Sequence, residues 1–268
     1  MEEKSLATWD EFQHALLKME AEIAAERTSR WDYPLFRGQG DSTLHLESTL
    51  DRIENGMNTE SYDEIIKAIH KDVATVTGVE WELHSVVKVM DYPLQAYEFK
   101  AYLRHNGFPS PLLDWTRSPY VAAFFAFGNV PREAKQVSIY VYREWCGGGN
   151  ACARDKPRIL TLGPTIATHR NHYLQQSQYS ICIRKIGDSW LYASYEDVKA
   201  PEGQDIVIKY NIPTSERHKV LRKLDSMNIT AYSLFNSEPS LMETLWLREF
   251  FLAERRGRSM AGVFRPNS

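Results

Sequence analysis

Three short segments hold most of the side chains whose types and spacing suit chemistry. The first is Leu35-Phe36-Arg37-Gly38-Gln39-Gly40. An arginine at a strand end presents a planar donor fork to a phosphate or carboxylate, and neighbouring glycines let a ligand approach the backbone. The plainer reading is a solvated arginine before a tight turn. A Rossmann-type phosphate loop does not fit, because the glycines run into Ser42–Leu46, which reads as extended rather than helical. The second segment, His105 to Ser118, gathers an imidazole, a carboxylate, hydroxyls and an indole in one irregular stretch. If that stretch is extended, Asp114 and Thr116 point to the same side. Its plainer reading makes Trp115 core and leaves Asp114 and Thr116 to satisfy local backbone donors. The third segment, His169 to Tyr179, is rich in amides. His169 and His172 have a metal-compatible spacing but no acidic or cysteine partner at ligand distance along the chain. No G-x-S-x-G nucleophile elbow is present.

These segments need elements to hold them. Apolar periodicity predicts helices over 8–27, 60–76, 94–105, 214–227 and 239–253. Gly107 is a natural terminator for the third of these. Ser118-Pro119 opens a further helix, with serine as cap and proline in the first turn. Its sequence YVAAFFAF is apolar all round, so it must be buried. Short β-rich runs occur at Leu35–Arg37, Val137–Tyr142, Tyr179–Arg184 and Asp205–Ile212, while 79–90 suits either state. The expectation is an α+β fold: mostly helical for the first 130 residues, mostly strand for the next 80, then two closing helices. Phe36, Leu112, Leu113, Val121, Phe124 and Phe125 are expected in one core. Arg37, His105, Asp114, Thr116 and Gln175 are expected in one pocket.

Composition narrows the function classes. The chain has 268 residues, 43% of them hydrophobic and 25% charged, which suits one large globular domain over 1–268. A net charge of -3 removes the simple electrostatic case for a general nucleic-acid binder, though a local basic cleft stays compatible with it. Three cysteines, Cys146, Cys152 and Cys182, make no disulfide framework and no CxxC pair. The acidic, amphipathic start does not read as a signal peptide, and no apolar run is long enough for a membrane span. The expected setting is cytoplasmic, with no membrane partner.

Together the three segments resemble the FRG domain family. The opening Phe36-Arg37-Gly38-Gln39, with Asp41-Ser42-Thr43-Leu44 and then Ser48-Thr49-Leu50, is similar to the family's Phe-Arg-Gly opening. The family's middle motif, Gln-His-Tyr-Gly-x-Pro-Thr-Arg-Leu-Leu-Asp-Trp-Thr, is matched at His105, Gly107, Pro109, Leu112, Leu113, Asp114, Trp115 and Thr116. Arg104, Asn106, Ser110 and Pro111 depart from it. The later Gln-x-Gly-x-aromatic motif resembles Gln175-Gln176-Ser177-Gln178-Tyr179, with Ser177 in place of glycine. The resemblance covers about residues 8–250.

FRG domains are distantly similar to ADP-ribosyltransferases, which split the glycosidic bond of NAD and pass ADP-ribose to an acceptor. The resemblance implies an ADP-ribosyltransferase-like fold, a single compact domain with a split antiparallel or mixed sheet. It implies NAD as substrate and a macromolecular acceptor, RNA, DNA or protein. It also implies a bacterial toxin or phage-defence setting, with an antitoxin or regulator as partner. Arg37, His105, Asp114, Thr116 and Gln175 would be catalytic. Phe36, Arg37, Gly38, Gln39, Trp115, Thr116, Ser118 and Tyr120 would hold NAD, with Phe36 or Tyr120 stacking on nicotinamide. Where such enzymes carry a glutamate this chain has glutamines, so Glu238, Glu243 or Asp114 would supply the negative charge. The alternative is a non-catalytic module that binds a nucleotide or protein in the same cleft. A hydrolase using His105 and Asp114 is a third reading.

Overall fold

The structure is a computed structural model that describes residues 1–25, 33–144, 155–163, 170–199 and 206–253. Its strands are β1 (Glu2–Ser5), β2 (Leu35–Gln39), β3 (Val86–Val89), β4 (Tyr92–Gln95), β5 (Leu113–Thr116), β6 (Gln136–Arg143), β7 (Arg158–Thr161), β8 (Ser177–Ile186), β9 (Ser189–Tyr192) and β10 (Ile206–Pro213). Its α-helices are α1 (Trp9–Ala25), α2 (Thr59–Thr77), α3 (Tyr97–His105), α4 (Pro119–Gly128), α5 (Arg170–Leu174), α6 (Arg217–Ser226), α7 (Ala231–Phe235) and α8 (Glu238–Trp246), with a π-helical turn at Leu247–Leu252. Among the described residues, no helix is long and apolar enough to cross a membrane.

One mixed eight-stranded sheet organises the chain in the order β1-β10-β6-β2-β5-β8-β7, with β9 paired to β8. Only β1 and β10 run parallel; the other pairs are antiparallel. β3 and β4 form a separate hairpin. The fold is α+β, but strands and helices interleave. β2 and β5, both from the first half, lie at the middle of the sheet, so a helical half followed by a strand half is not what forms. The local expectations hold better. Thr8 accepts from Glu11 N (3.3 Å) at the start of α1, and Ser118 caps α4 through Val121 N (3.3 Å). The 79–90 stretch supplies only β3, and 42–46 folds as turns rather than extended chain.

The register sorts side chains between two faces. Phe36 pairs with both Val141 and Thr116, and Asp114 pairs with Tyr179. Residues opposite one another, or two apart along a strand, share a face. Phe36, Val141, Asp114, Thr116 and Tyr179 therefore lie on one side. That side carries two separate cores. Around Phe36, Ile139 and Val141 pack α1, α4 and α6, through Trp9, Phe12, Ala122, Phe127 and Leu221. Around Tyr179, Ile181 and Ile183 pack α2, α3 and β4, through Tyr62, Leu94, Phe99 and Leu103. The opposite side buries Leu35, Leu113, Trp115, Tyr140, Tyr142 and Cys182 under Leu46 and the 193–198 segment. The single core expected for Phe36, Leu112, Leu113, Val121, Phe124 and Phe125 is thus divided in three. Phe36, Val121 and Phe124 belong to the first core, with Phe125 packed partly buried against it, while Leu112 and Leu113 fall into the other two. Leu113 opens β5 and Leu112 immediately precedes it, and successive side chains of extended backbone point to opposite faces, which separates the two.

α4 lies directly on β2. Gly38 makes this possible: a Cβ there would sit 1.9 Å from the Ala122 carbonyl oxygen and 2.6 Å from Ala126 N. Both obstacles are helix backbone, which cannot swing aside as a side chain can. Gly38→Ala should therefore destabilise the protein by about 3 kcal/mol or more, the upper end for overpacking. Gly128→Ala is the control, since its added methyl would meet only the Phe124 ring at 3.9 Å. Urea denaturation of both variants checks this; a Gly38→Ala protein as stable as the control would contradict the packing.

Candidate functional site

β5 runs along the seam between the two cores of the first face, where the Asp114 side chain stays a third exposed while Thr116 is buried. The helix that reaches the seam is α3. Lys100 fixes it there. Its side chain is fully buried, 2.6 Å from Asp63 Oδ1 on α2, and it donates to the Tyr192 hydroxyl on β9 (3.3 Å). Burial pushes the Lys100 pKa down, and Asp63 opposes that. Removing one partner of such a pair costs about 3–5 kcal/mol, so α3 is firmly held. Its last two residues are Arg104 and His105, after which Gly107 turns the chain away at φ 81°.

Arg104 grips Asp114. Its Nε donates to Asp114 Oδ2 at 2.8 Å and its Nη2 lies 2.5 Å from the same oxygen, while Nη1 donates to Thr49 Oγ1 (3.3 Å). Arg37 approaches from β2. It pairs with Tyr140 in register, and its Nη1 donates to the Asp114 carbonyl (2.8 Å) and lies 3.9 Å from Asp114 Oδ2. The expected solvated fork at a strand end is corrected here. Arg37 lies within an interior strand, and its side chain is only 16% exposed. Burial lowers its pKa, and Asp114 opposes that only in part. Two polar atoms of this cluster are buried without a hydrogen-bond partner: Arg37 Nε and Asp114 Oδ1. One is a donor and the other an acceptor.

Tyr179 lies opposite Asp114 on β8 and is fully buried. Its hydroxyl is 2.5 Å from His105 Nε2. Burial raises the phenol's pKa, with Asp114 adding to the shift and Arg104 opposing it. The phenol therefore keeps its proton. With the phenol as donor, a neutral His105 carries its own proton on Nδ1. On the other side of Tyr179 the His172 ring stacks at 5.3 Å and 26°. His172 Nε2 is buried and without a hydrogen-bond partner.

Thr116 and Gln175 also meet. The Thr116 hydroxyl donates to the Gln175 carbonyl (2.7 Å) and accepts from Ser118 N (3.1 Å), and Gln175 Nε2 donates to the Leu234 carbonyl (3.2 Å). These contacts join β5, α5 and α7. Of the residues expected in one pocket, Arg37 touches Asp114, Thr116 touches Gln175, and His105 reaches the Asp114 neighbourhood through Tyr179. The expected ligand-holding set fares differently. Phe36 and Trp115 are core side chains; Trp115 Nε1 donates to Ser180 Oγ (2.7 Å) and its ring packs on Tyr142. Neither ring has a face to offer nicotinamide. Gly38 admits a helix rather than a ligand. Gln39 donates to the His45 carbonyl (3.2 Å), Ser118 caps α4, and Tyr120 is half-buried near Trp9. Glu243 lines a cleft of about 540 Å³ together with Arg170, Asn171, Phe235 and Ser237, and Glu238 sits exposed in the first turn of α8. His169 lies outside the described residues.

Arg104, Tyr179 and His172 join the site although the sequence had not placed them in the expected pocket. Arg104 adjoins His105, Tyr179 is brought in by its register opposite Asp114, and His172 on α5 by its stack on Tyr179. A double-mutant cycle on Arg104→Ala and Asp114→Asn, read by urea denaturation, should give a coupling of about 1–2 kcal/mol, since the pair is partly solvated. Additive effects would mean that the ion pair does not hold α3 on β5.

Residues 33–135 match the family model of the FRG domain. No curated protein and no solved structure matches the chain. The matched stretch runs from just before β2 to just before β6 and includes Arg37, Arg104, His105, Asp114 and Thr116, whereas α5 and β8, with His172, Gln175 and Tyr179, lie beyond it. The polar cluster at the seam is thus built around residues of the segment, 33–135, in which this chain is similar to the FRG domain.

Proposed function

We propose that the seam is a catalytic site for ADP-ribosyl transfer from NAD to a macromolecular acceptor, nucleic acid or protein. The observation that carries this reading is the state of Asp114. Its side chain is a third exposed, with Oδ2 held by Arg104 and Oδ1 buried and without a donor. An oxygen that only accepts, fixed in place and lacking a protein partner, suits a ribose hydroxyl. A carboxylate held rigidly is also what an oxocarbenium-like transition state needs, because a preorganised charge stabilises developing positive charge without reorganising. Arg37, which shares the face of Tyr140, reaches Asp114 through its carbonyl and supports it from behind. In this reading Asp114 takes the part expected of a glutamate, Arg104 and Arg37 position it, and Gln175 braces Thr116 through its backbone carbonyl.

The alternative, a binding module without turnover, draws on a specific observation too. Several residues expected to hold NAD, notably Phe36, Gly38 and Trp115, are used for packing. Incubating the purified chain with NAD and a cell lysate separates the two. A transferase releases nicotinamide and leaves ADP-ribose on an acceptor; a binding module does neither. Asp114→Asn should lower turnover about 10²-fold or more while the protein stays folded. Arg37→Lys keeps the charge but loses the fork, and should lose both activity and roughly 1–3 kcal/mol of stability, because its bond to the Asp114 carbonyl goes too. Nicotinamide release unchanged in Asp114→Asn would end the assignment. Growth arrest on expression, relieved by Asp114→Asn, would support a toxin role for the same chemistry.

A further inference from the structure

We infer that His172 takes the acceptor's proton in the transfer step, so that the acceptor is a nucleophile that must lose a proton, such as a hydroxyl, an amide or a ring amino group, rather than a carboxylate. This rests on the transferase reading above.

His172 is 8% exposed, and its Nε2 is buried with no hydrogen-bond partner. A buried polar nitrogen left unpaired is uncommon in a folded protein and calls for a role. The ring does not lie at random. It stacks on Tyr179, which stands opposite Asp114 in the sheet and whose hydroxyl meets His105 Nε2 at 2.5 Å. Two imidazoles and a phenol thus gather beside the clamped carboxylate.

The groups acting on His172 come from three elements. His105 at the end of α3 lowers its proton affinity, and Asp114 on β5 raises it, while burial lowers it most. Tyr179 on β8 keeps its proton, and Arg104 on α3 is committed to Asp114. On α5 itself, Arg170 lines the neighbouring cleft. The net direction is downward, so His172 is neutral at pH 7 and able to accept a proton.

The step balances. The acceptor oxygen or nitrogen forms a bond to C1′ of the ribose as the C1′–nicotinamide bond breaks. The bonding pair leaves with nicotinamide and neutralises its ring charge. The acceptor's proton passes to His172 Nε2, and the resulting imidazolium is stabilised by the negative charge of Asp114. A carboxylate acceptor has no proton to give, so an imidazole base would serve no purpose with it.

The test uses the full chain, NAD labelled in its adenosine half, and cell lysate. His172→Gln and His172→Asn should each reduce transfer about 10²-fold, the usual contribution of a general base, with KM for NAD little changed. Wild-type rates should fall on acidification through a limb below the ordinary histidine range of about 6.5, and that limb should vanish in both variants. Label on wild-type products should resist neutral hydroxylamine, which cleaves carboxylate esters. Histidine NMR on the wild type covers the case in which both variants misfold: the His172 resonance should titrate below the ordinary range and shift when NAD is added. A retained acidic limb in a folded variant, a hydroxylamine-labile label, or a His172 resonance blind to NAD would overturn the inference with the transferase reading intact. Failure of the wild type to bind NAD or release nicotinamide would overturn the transferase reading itself, and this inference with it.

Discussion

The Arg104–Asp114 ion pair is the interaction on which the rest of the site depends. It joins the last turn of α3 to the middle of the sheet at the seam between two separate apolar cores. Neither group is fully desolvated, with side-chain exposures of 16% and 33%. The penalty for taking the charges out of water is therefore smaller than for a sealed pair, while Oδ2 receives two guanidinium contacts. Without this pair, His105 would lose its reference to β5, because the two residues are neighbours on one helix. The Lys100–Asp63 pair, one turn earlier on the same face of the helix and with its lysine fully buried, ties α3 to α2. One ion pair anchors α3, and the other aims its end.

The segment that carries the family resemblance also explains why its small residues sit where they do. Gly38 on β2 and Ala122 and Ala126 on α4 are far apart in sequence, yet they form one contact in which helix backbone rests on strand backbone. That contact brings the start of α4, and hence Ser118 and Thr116, close to β2. The glycine contributes to the site by closing the distance between β2 and β5 rather than by touching a ligand. Trp115 acts similarly from the opposite face, where its indole is bonded to Ser180 and leaves Asp114 and Thr116 facing the seam.

Much of the local structure was legible in the residues. The all-apolar helix after Pro119, the cap at Ser118, the terminator at Gly107 and the strands of 137–142 and 179–184 follow from period and turn chemistry alone. What was not legible depends on register. Leu112 and Leu113 read alike, yet one step at the entry to β5 sends them into different cores. Arg37 reads as a strand-end cation because nothing local shows that β5 and β6 will flank it. His172 and Tyr179 are seven positions apart, and only the return of the chain through Gln176, at φ 50°, stacks one ring on the other. Convergence of Arg37 with Asp114 and of Thr116 with Gln175 was suggested by motif resemblance, which carries long-range information that a periodicity does not.

The place of the polar cluster follows from how the sheet is covered. Eight strands present more surface than one layer of packed helices closes, and here two helical groups cover the first face from its two ends. Where they meet, Thr116 and Tyr179 are buried but the Asp114 side chain stays a third exposed, and an apolar side chain in its place would be left partly wet. Charged and hydrogen-bonding groups are tolerated there, since water and ion pairing share the cost of burying them. Each is nevertheless fixed by a rigid element, Asp114 by an interior strand, Arg104 by a pinned helix and His172 by its stack on a buried phenol. A site made this way combines partial solvent access with fixed geometry, the two conditions that proton transfer and charge stabilisation both require. It also couples the two cores to one carboxylate, so a substitution that shifts α3 or α4 against the sheet should register at Asp114 before it unfolds the chain.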